Sequence, residues 1–220
     1  IRQDIQVTDQ AAESNQRAIN AIEKGADSIG FVLSGNVDLD VNGLSELLKG
    51  ISLTDTEIHF KGEGTSAGLY KLLIDFSEKN ALDISGIRGS LDIDPIGELT
   101  LKGEIEEAAF AEMADIITIA MHKTPQFKII GVKANIFQDG GSSLTQELAY
   151  GLSVANEYLD KLTSNGLTAT EVMKSMQFTF AVGPNYFMEI AKPRAARWLW
   201  SVICKEWGIE TENINMALHS

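Results

Sequence analysis

The pattern of apolar and polar positions is clearest between residues 127 and 163, where it changes from a strand to a helix. Residues 127–134 are short, apolar and β-branched, which is typical of a buried strand. Residues 138–142 are turn formers, and Ser142 or Ser143 can cap the helix that follows. The apolar face of that helix consists of Leu148, Leu152, Ala155, Leu159 and Leu162. The stretch therefore predicts a strand, a turn and a helix, with the turn at the end where parallel α/β folds place their chemistry.

The same alternation of apolar runs and amphipathic segments extends along the rest of the chain. Strands are predicted at 1–7, 27–33, 57–61, 84–87, 127–134, 177–182 and 214–218. Helices are predicted at 9–24, 44–48, 66–77, 104–122, 143–163 and 186–207, with a further short helix at 168–176. Pro193 lies inside the last long helix and should kink or split it.

Regular alternation of strand and helix, at a spacing of roughly 30 residues, predicts a parallel sheet. Two architectures are compatible with it: an open doubly wound sheet and an eight-stranded (β/α) barrel. The first strand is not followed by a G-x-G-x-x-G fingerprint, which weakens the dinucleotide-binding interpretation. The count of about seven strands and six helices favours a (β/α)8 TIM barrel that is incomplete in this chain. We expect residues 1–220 to form one partial barrel domain, cut from a longer protein because no initiator Met is present.

The composition and net charge of the chain argue against several classes of binding partner. The formal net charge of −13 argues against nucleic acid and against an anionic membrane as partners, because both need a basic protein surface. A small phosphorylated ligand stays possible, since it needs only a few local cations. There is no signal peptide and no apolar run long enough to span a membrane, and the single cysteine, Cys204, has apolar neighbours. We therefore expect a cytoplasmic protein with no disulfide.

The histidines and carboxylates do not form an obvious catalytic or metal-binding set. His59, His122 and His219 are scattered without metal-ligand spacing, so no metal site is predicted. His219 would end the seventh strand, where either a pocket-lining or a structural role fits. A second group of polar residues falls in predicted loops, where aspartate is simply common. Its members are Asp38, Asp40, Asp92 and Asp94.

The last long helix carries charged and aromatic residues whose roles the pattern leaves open. Arg194 and Arg197 are predicted to pair with Glu189 or Glu206. The tryptophans at 198, 200 and 207 could cover strands of the barrel or contact a partner.

Residues 180–200, FAVGPNYFMEIAKPRAARWLW, resemble the segment G-x-N-F/Y-F-M-E-x-A-K-x-R-A-A-R of the methylmalonyl-CoA mutase family, which depends on adenosylcobalamin. Gln138 to Gly141 and Glu147 to Tyr150 resemble Q-E-x-G and E-L-A-Y, and the opening I-R-Q resembles the start of the family's barrel. The resemblance implies a barrel that acyl-CoA threads and that stacks on cobalamin held by a separate domain. Neither that domain nor the eighth barrel unit is expected here.

Departures from the family pattern imply a non-catalytic member. Asp4 replaces a tyrosine that helps drive radical formation, and Asn135 and Ile136 replace a tyrosine–histidine pair that contacts the substrate. Residues 33–40, LSGNVDLD, replace the family's D-L-P-T-H-R-G. The resemblance therefore implies the small (beta) subunit of a heterodimer whose large subunit is catalytic. Adenosylcobalamin and acyl-CoA would be bound in the complex and not by this chain alone. Catalytic residues are not expected, and the candidate pocket-lining residues are Arg2, Gln3, Asn135, Gln138 and His219.

Two alternatives remain open. The chain could belong to an acyl-CoA mutase of altered specificity that uses Asn135, Gln138 and His219 as polar groups. It could also be a module that binds cobalamin or acyl-CoA without performing chemistry.

Overall fold

The computed structural model describes residues 1–8, 10–34, 39–62, 67–106 and 108–220. These residues form two compact units. The first comprises Ile1–Ile93 and Ile119–Lys128, and the second comprises Asp94–Thr118 and Ile129–Ser220. Asp38, with the rest of residues 35–38 in the 33–40 segment, and the predicted helix starts at 9 and 66 lie outside the described residues.

The first unit is built from four strands in chain order. Its elements are β1 (Arg2–Gln6), α1 (Ala11–Glu23), β2 (Ser28–Leu33), α2 (Val41–Leu48), β3 (Glu57–Gly62), α3 (Ala67–Lys79) and β4 (Gly89–Ile93). β1 pairs with β2, β2 with β3 and β3 with β4, always in parallel. A doubly wound sheet would reverse its strand order at a switch point, whereas this order is sequential.

The second unit continues the same arrangement. Its elements are α4 (Pro95–Lys102), α5 (Ala109–Lys123), β5 (Phe127–Lys133), α6 (Asn135–Asp139), α7 (Leu144–Ser164), α8 (Ala169–Lys174), β6 (Met176–Thr179), α9 (Tyr186–Glu206) and β7 (Ala217–His219). The end of α5 and the start of β5 are counted with the first unit. β5, β6 and β7 pair in parallel, again in chain order. The alternation and the sequential parallel pairing confirm an α/β fold of the incomplete (β/α)8 barrel class.

Strand register gives the sheet of the first unit one apolar and one polar face. Ile5, Phe31 and Phe60 are register partners, and all three are buried. Successive side chains of a strand point to opposite faces, so the neighbouring row belongs to the other side. That row runs through Asp4, Gly30, His59 and Ser90. This row of the polar face therefore carries side chains from β1, β3 and β4, with Gly30 leaving space on β2.

Helices α7 and α9 cover the apolar face of the second unit. All five apolar positions predicted for α7 are at most 8% exposed. Ser143 caps that helix with a full capping box to Gln146, as the sequence predicted. Trp200 of α9 meets Phe178 of β6 edge to face, with ring centroids 5.1 Å apart. The local pattern and its caps thus fix both helices.

Several predicted boundaries are wrong. The fourth strand is Gly89–Ile93 and not 84–87, because the Asp83 side chain accepts a hydrogen bond from the Ser85 amide and turns that segment into a loop. Gly89 allows the close approach, since a Cβ there would collide with the carbonyl oxygen of Ile58. The predicted helix 104–122 begins only at Ala109.

Three further elements differ from the sequence prediction. α4 was missed, although Asp94 caps it, Pro95 opens it and the left-handed Gly103 ends it. A short helix, α6, occupies part of the predicted turn. With α4 and α6, the described residues hold nine α-helices, where the sequence predicted six and the short helix at 168–176. α9 runs through Pro193 without being split.

The last two strands are shorter than predicted. β6 ends at Thr179, and β7 begins at Ala217 after a 3₁₀ turn.

Within the described part of the chain, no helix is both long and apolar enough to cross a membrane.

Candidate functional site

Asp4, which stands where the resemblance implies a tyrosine, is held by two cations on the polar face of the first unit. Arg2 Nε donates to Asp4 Oδ1 at 2.9 Å, and Lys61 Nζ from β3 forms an ion pair with Oδ2. Partial burial alone would raise the pKa of Asp4, but the hydrogen bonds and charges of Lys61 and Arg2 outweigh it and lower the pKa. This position therefore carries a fixed anion and no hydrogen-bond donor.

The Asp4 side chain lies across β2, and Gly30 provides the space for it. A Cβ at residue 30 would collide with Asp4 Oδ1 and approach Arg2 Nε to 3.2 Å. Gln3 donates from its side-chain amide to the Asp4 carbonyl at 3.0 Å. Arg2, Gln3 and Asp4 thus form one local polar group.

Three predicted site residues lie together in the second unit, on α6 directly after β5. Asn135 Nδ2 is 3.4 Å from Asp139 Oδ2. Ile136 lines a small gap that has no room for a water molecule, together with residues of β5, α4 and α7. The side-chain oxygens of Asn135 and Gln138 are buried, and no hydrogen-bond partner for them exists among the described residues. Residues 135 and 138 are three apart in a helix, so both amides lie on the same side of α6.

Gln138 also lines a cleft of about 330 Å³ between the starts of α7 and α9. The other lining residues are Ser143, Leu144, Thr145, Gly183, Pro184, Asn185, Met188 and Glu189. The cleft lies beyond the carboxyl ends of β5 and β6, where this fold class places ligands. The cleft is thus lined by Gln138, one of the predicted pocket-lining residues.

A buried charge network supports one wall of this cleft. Lys192 Nζ lies 2.8 Å from Glu147 Oε2 and 2.8 Å from Glu189 Oε2. Glu147 also accepts a hydrogen bond from the Ala181 amide at 2.6 Å, and Glu189 accepts one from the Gly183 amide at 2.9 Å. The network therefore fixes the loop between β6 and α9.

The charge of Glu189 follows from this pairing. Burial would raise the pKa of Glu189, but the hydrogen bonds from Lys192 and the Gly183 amide, with the Lys192 charge, lower it. Glu147 and Lys192 belong to the E-L-A-Y and M-E-x-A-K segments of the motifs. The sequence analysis did not single out either residue. Their positions in the two motifs that resemble the family could have marked them as functionally or structurally important.

Asp94 anchors a second buried network, between α4, β5 and α7. It accepts from the Tyr158 hydroxyl at 2.6 Å, from the Gly97 amide at 2.9 Å and from the Lys133 amide at 3.1 Å. Burial raises the pKa of Asp94 even though these donors stabilise its charge. Asp94 and Asp40 both cap helices, which confirms the loop interpretation for these two, whereas Asp92 lies inside β4.

The histidines have structural partners. His59 is buried with its Nδ1 atom 2.8 Å from Ser90 Oγ. His219, in β7, has its Nε2 atom 3.1 Å from Gln177 Oε1. His122 lies in the last turn of α5. The part of the chain that the structure describes contains no cluster of three or more His, Cys, Asp and Glu side chains suited to a metal ion.

The remaining sequence predictions have mixed outcomes. Arg194 and Arg197 form no ion pair with any described residue, because Glu189 turns inward to Lys192. Cys204 is buried, and burial raises the pKa of its thiol to about 12, which fits an inert side chain. Trp200 is buried, whereas Trp198 is 68% exposed. Of the predicted site residues, Arg2, Gln3 and Asp4 belong to the first unit, and Asn135, Ile136, Gln138 and His219 to the second.

Comparison with known proteins decides the family. The family model described as Methylmalonyl-CoA mutase matches residues 35–220. The chain belongs to the methylmalonyl-CoA mutase family. It is 37% identical over 220 residues to the methylmalonyl-CoA mutase small subunit of Porphyromonas gingivalis, covering 100% of this chain and 35% of the relative.

Other members of the family are similar over most of the chain. The small subunit of Streptomyces virginiae is 29% identical over 198 residues, which cover 90% of this chain and 32% of the relative. The large subunit of P. gingivalis is 26% identical over 178 residues, which cover 79% of this chain and 25% of the relative. The chain thus spans about a third of the length of the small subunits that it matches.

The described residues do not fit a site that holds cobalamin by itself. His59 is buried, and His59 and His219 are both engaged by neighbouring side chains, so neither is placed to ligate the cobalt of a cobalamin. His122 lies at the end of a helix and on no sheet face. No step of the chemistry is therefore assigned to a cofactor bound by these residues.

Proposed function

We propose that this chain is the barrel segment of the small, non-catalytic subunit of a methylmalonyl-CoA mutase. It would support a large catalytic subunit that interconverts methylmalonyl-CoA and succinyl-CoA in propionate metabolism. Adenosylcobalamin, bound outside residues 1–220, would supply the radical. The chain's own site would be degenerate.

The state of Asp4 is the observation that carries this proposal. A catalytic residue at this position should be free to change its contacts when substrate and cofactor arrive. Asp4 is instead bound by Arg2 and Lys61, which lower its pKa and keep it ionised. Enzymes that handle reactive intermediates stabilise them with preorganised polar groups in a site without water. A tethered carboxylate cannot replace a hydroxyl that donates a hydrogen bond.

Ile136 supports the same conclusion in the second unit. Its side chain cannot donate, accept or carry a proton, and it lines an apolar gap beside β5. Asn135 keeps an amide but has no ionisable proton. Together, positions 4, 135 and 136 lack the two tyrosines and the histidine that the family resemblance implies for a catalytic subunit.

The two buried networks explain why a degenerate site would keep its scaffold. Glu147, Lys192 and Glu189 hold the loop after β6, while Asp94 and Tyr158 hold the start of α4 at the end of β5. Such networks rigidify the carboxyl ends of the strands independently of catalysis. A rigid scaffold is what a supporting subunit contributes to its partner.

The proposal is tested with the full-length protein that contains this chain. Purified alone, with adenosylcobalamin and methylmalonyl-CoA, it should give no succinyl-CoA above the rate without protein. Adding the large subunit from the same genome should give turnover. Turnover by the isolated protein would overturn the proposal, as would a large subunit whose activity is unchanged by adding it.

A second candidate is an acyl-CoA mutase of altered specificity. The observation that favours it is the pair of buried amide oxygens, Asn135 Oδ1 and Gln138 Oε1, which lack a partner among the described residues. Buried acceptors are usually satisfied, so a ligand with N–H or O–H donors would fit them. Calorimetric titration of the isolated full-length protein with a panel of acyl-CoA esters tests this. Micromolar binding that Gln138→Leu abolishes, with turnover of the bound ester, would establish the second candidate in place of the first.

A further inference from the structure

Helix α9 presents an outward stripe of apolar and cationic side chains, which we call the α9 stripe. Its members are Phe187, Arg194, Trp198, Val202 and Lys205. At 3.6 residues per turn they fall within a sector of about 80°, along about 27 Å of helix. The buried side chains of α9 follow the opposite side of the helix: Lys192, Ala196, Trp200 and Cys204. The stripe therefore points directly away from the sheet.

The exposure of the stripe is unusual for a soluble protein. Phe187 is 80% exposed, Trp198 68% and Val202 44%. Single exposed apolar residues are common on protein surfaces, but an aromatic-rich row on one helix face marks an interaction site. Tyr186 and Ile190, beside the stripe, are 70% and 46% exposed and widen the apolar surface.

The charge of the stripe is opposite to that of the chain. The whole sequence has a net charge of −13, yet the stripe contains Arg194 and Lys205 and no carboxylate. Arg197 flanks it. Neither guanidinium forms an ion pair within the described residues. Tryptophan and arginine are the residue types most enriched at the energetic centres of protein interfaces.

These properties decide among possible occupants. A nucleic acid or an anionic membrane needs a broad basic surface, whereas the stripe offers two cations on a chain of net charge −13. A second copy in a closed two-fold contact would place the stripe against itself, bringing its cations together without carboxylates to neutralise them. The occupant should instead be a different protein with an apolar groove bordered by aspartate or glutamate.

We infer that the α9 stripe is the surface on which the large catalytic subunit docks, through an apolar groove bordered by carboxylates. This inference rests on the proposed function, because that function requires a large-subunit partner. Trp198 fills the groove and Arg194 pairs with its acidic rim. The contact lies on the helix layer, on the outer side of the sheet, so it does not depend on any ligand in the cleft beside Gln138.

Affinity measurements between the full-length protein and the large subunit test the inference. Trp198→Ala should weaken binding by at least about 30-fold, as expected for a central interface tryptophan. The double charge reversal R194E/R197E should weaken it similarly and remove most of its dependence on salt. Because these side chains are exposed, the melting temperatures of the variants should stay close to wild type.

Matched control substitutions change exposed residues on other helices. Leu101 is also 68% exposed, and Lys71 is exposed on α3. L101A and K71E should leave the dissociation constant within about twofold, because surface contacts outside an interface contribute little. Equal binding by wild type and both stripe variants would overturn the inference while the proposed function stood.

Three other outcomes would also count against the inference, and only the first of them counts against the proposed function as well. If the wild-type protein does not bind the large subunit at all, both fail. If it self-associates and W198A abolishes that association, the occupant is a second copy and the inference is wrong. If Trp198 is shielded from acrylamide quenching in the isolated full-length protein, another segment of the same chain covers the stripe and the inference is again wrong.

Discussion

Lys192 Nζ lies 2.8 Å from Glu147 Oε2, although the two side chains are only 3% and 0% exposed. The pair joins α9 to α7 and, through the amide of Ala181, holds the loop that lines the cleft beside Gln138. A buried ion pair is costly to desolvate, and breaking it by removing one partner is more costly still. Removing either partner alone should therefore destabilise the second unit strongly.

Lys192→Met should destabilise the protein by about 3–5 kcal/mol, because it leaves the Glu147 carboxylate buried without its counterion. Urea titration followed by tryptophan fluorescence measures this change. Adding Glu147→Gln should recover a large part of the loss, since the remaining amide needs no counterion. If the double variant is as unstable as the sum of the single changes, the two residues do not act as a pair.

Gly30→Ala should destabilise the first unit by about 1–3 kcal/mol, because the new methyl group competes with the Asp4 side chain for the same space. Asp4→Ala in the same protein should restore most of that stability. The comparison of the two melting temperatures checks the expectation. A Gly30→Ala protein as stable as wild type would show that Arg2 and Lys61 do not hold the Asp4 side chain firmly in its place across β2.

Tyr158→Phe should cost about 1–3 kcal/mol, because it removes the hydroxyl that donates to Asp94 and accepts from the Ile96 amide. Tyr150→Phe is the matched control on the same helix, as Tyr150 is 43% exposed. The control should change the free energy of unfolding by less than about 0.5 kcal/mol. Equal effects of the two substitutions would argue against the Asp94 network.

Acid should weaken the contribution of Glu189 to the stability of the folded protein. The native pKa of Glu189 lies below its usual value, so its stabilisation is complete above the usual carboxylate pKa and is lost as pH falls through the native pKa. Unfolding free energies of wild type and Glu189→Gln should thus differ most near neutral pH and converge in strong acid. A difference that grows as pH falls would reverse the sign and contradict the pairing with Lys192.

Local signals predicted local structure well. The apolar face of α7 and its Ser143 cap follow from residues within one or two helical turns, and both are confirmed. The fourth strand was misplaced because Ile84 and Ile87 are buried from a loop, and burial alone does not distinguish a loop from a strand. α4 was not predicted, although Asp94 as N-cap and Pro95 at the first position form a helix-start signal.

The contacts of the candidate site were harder to predict from the sequence, because they join residues that are far apart along the chain. Glu147 and Lys192 are 45 positions apart, and Asp4 and Lys61 are 57 apart. Pairing Arg194 with Glu189 looked reasonable along the helix, but the tertiary contact with Lys192 takes Glu189 instead. The motif match identified the family, whereas the contacts that fix each side chain needed the structure.

The claim of a degenerate site is tested most directly in the assembled heterodimer, with the large subunit disabled. Full-length protein containing this chain would be mixed with a large subunit whose substrate-contacting tyrosine and histidine are replaced by phenylalanine and alanine. Succinyl-CoA formation from methylmalonyl-CoA would then be followed, with the wild-type pair as control. The account predicts turnover only in the control. Turnover by the mixed complex above the rate of the disabled large subunit alone would show that this chain has a working active site.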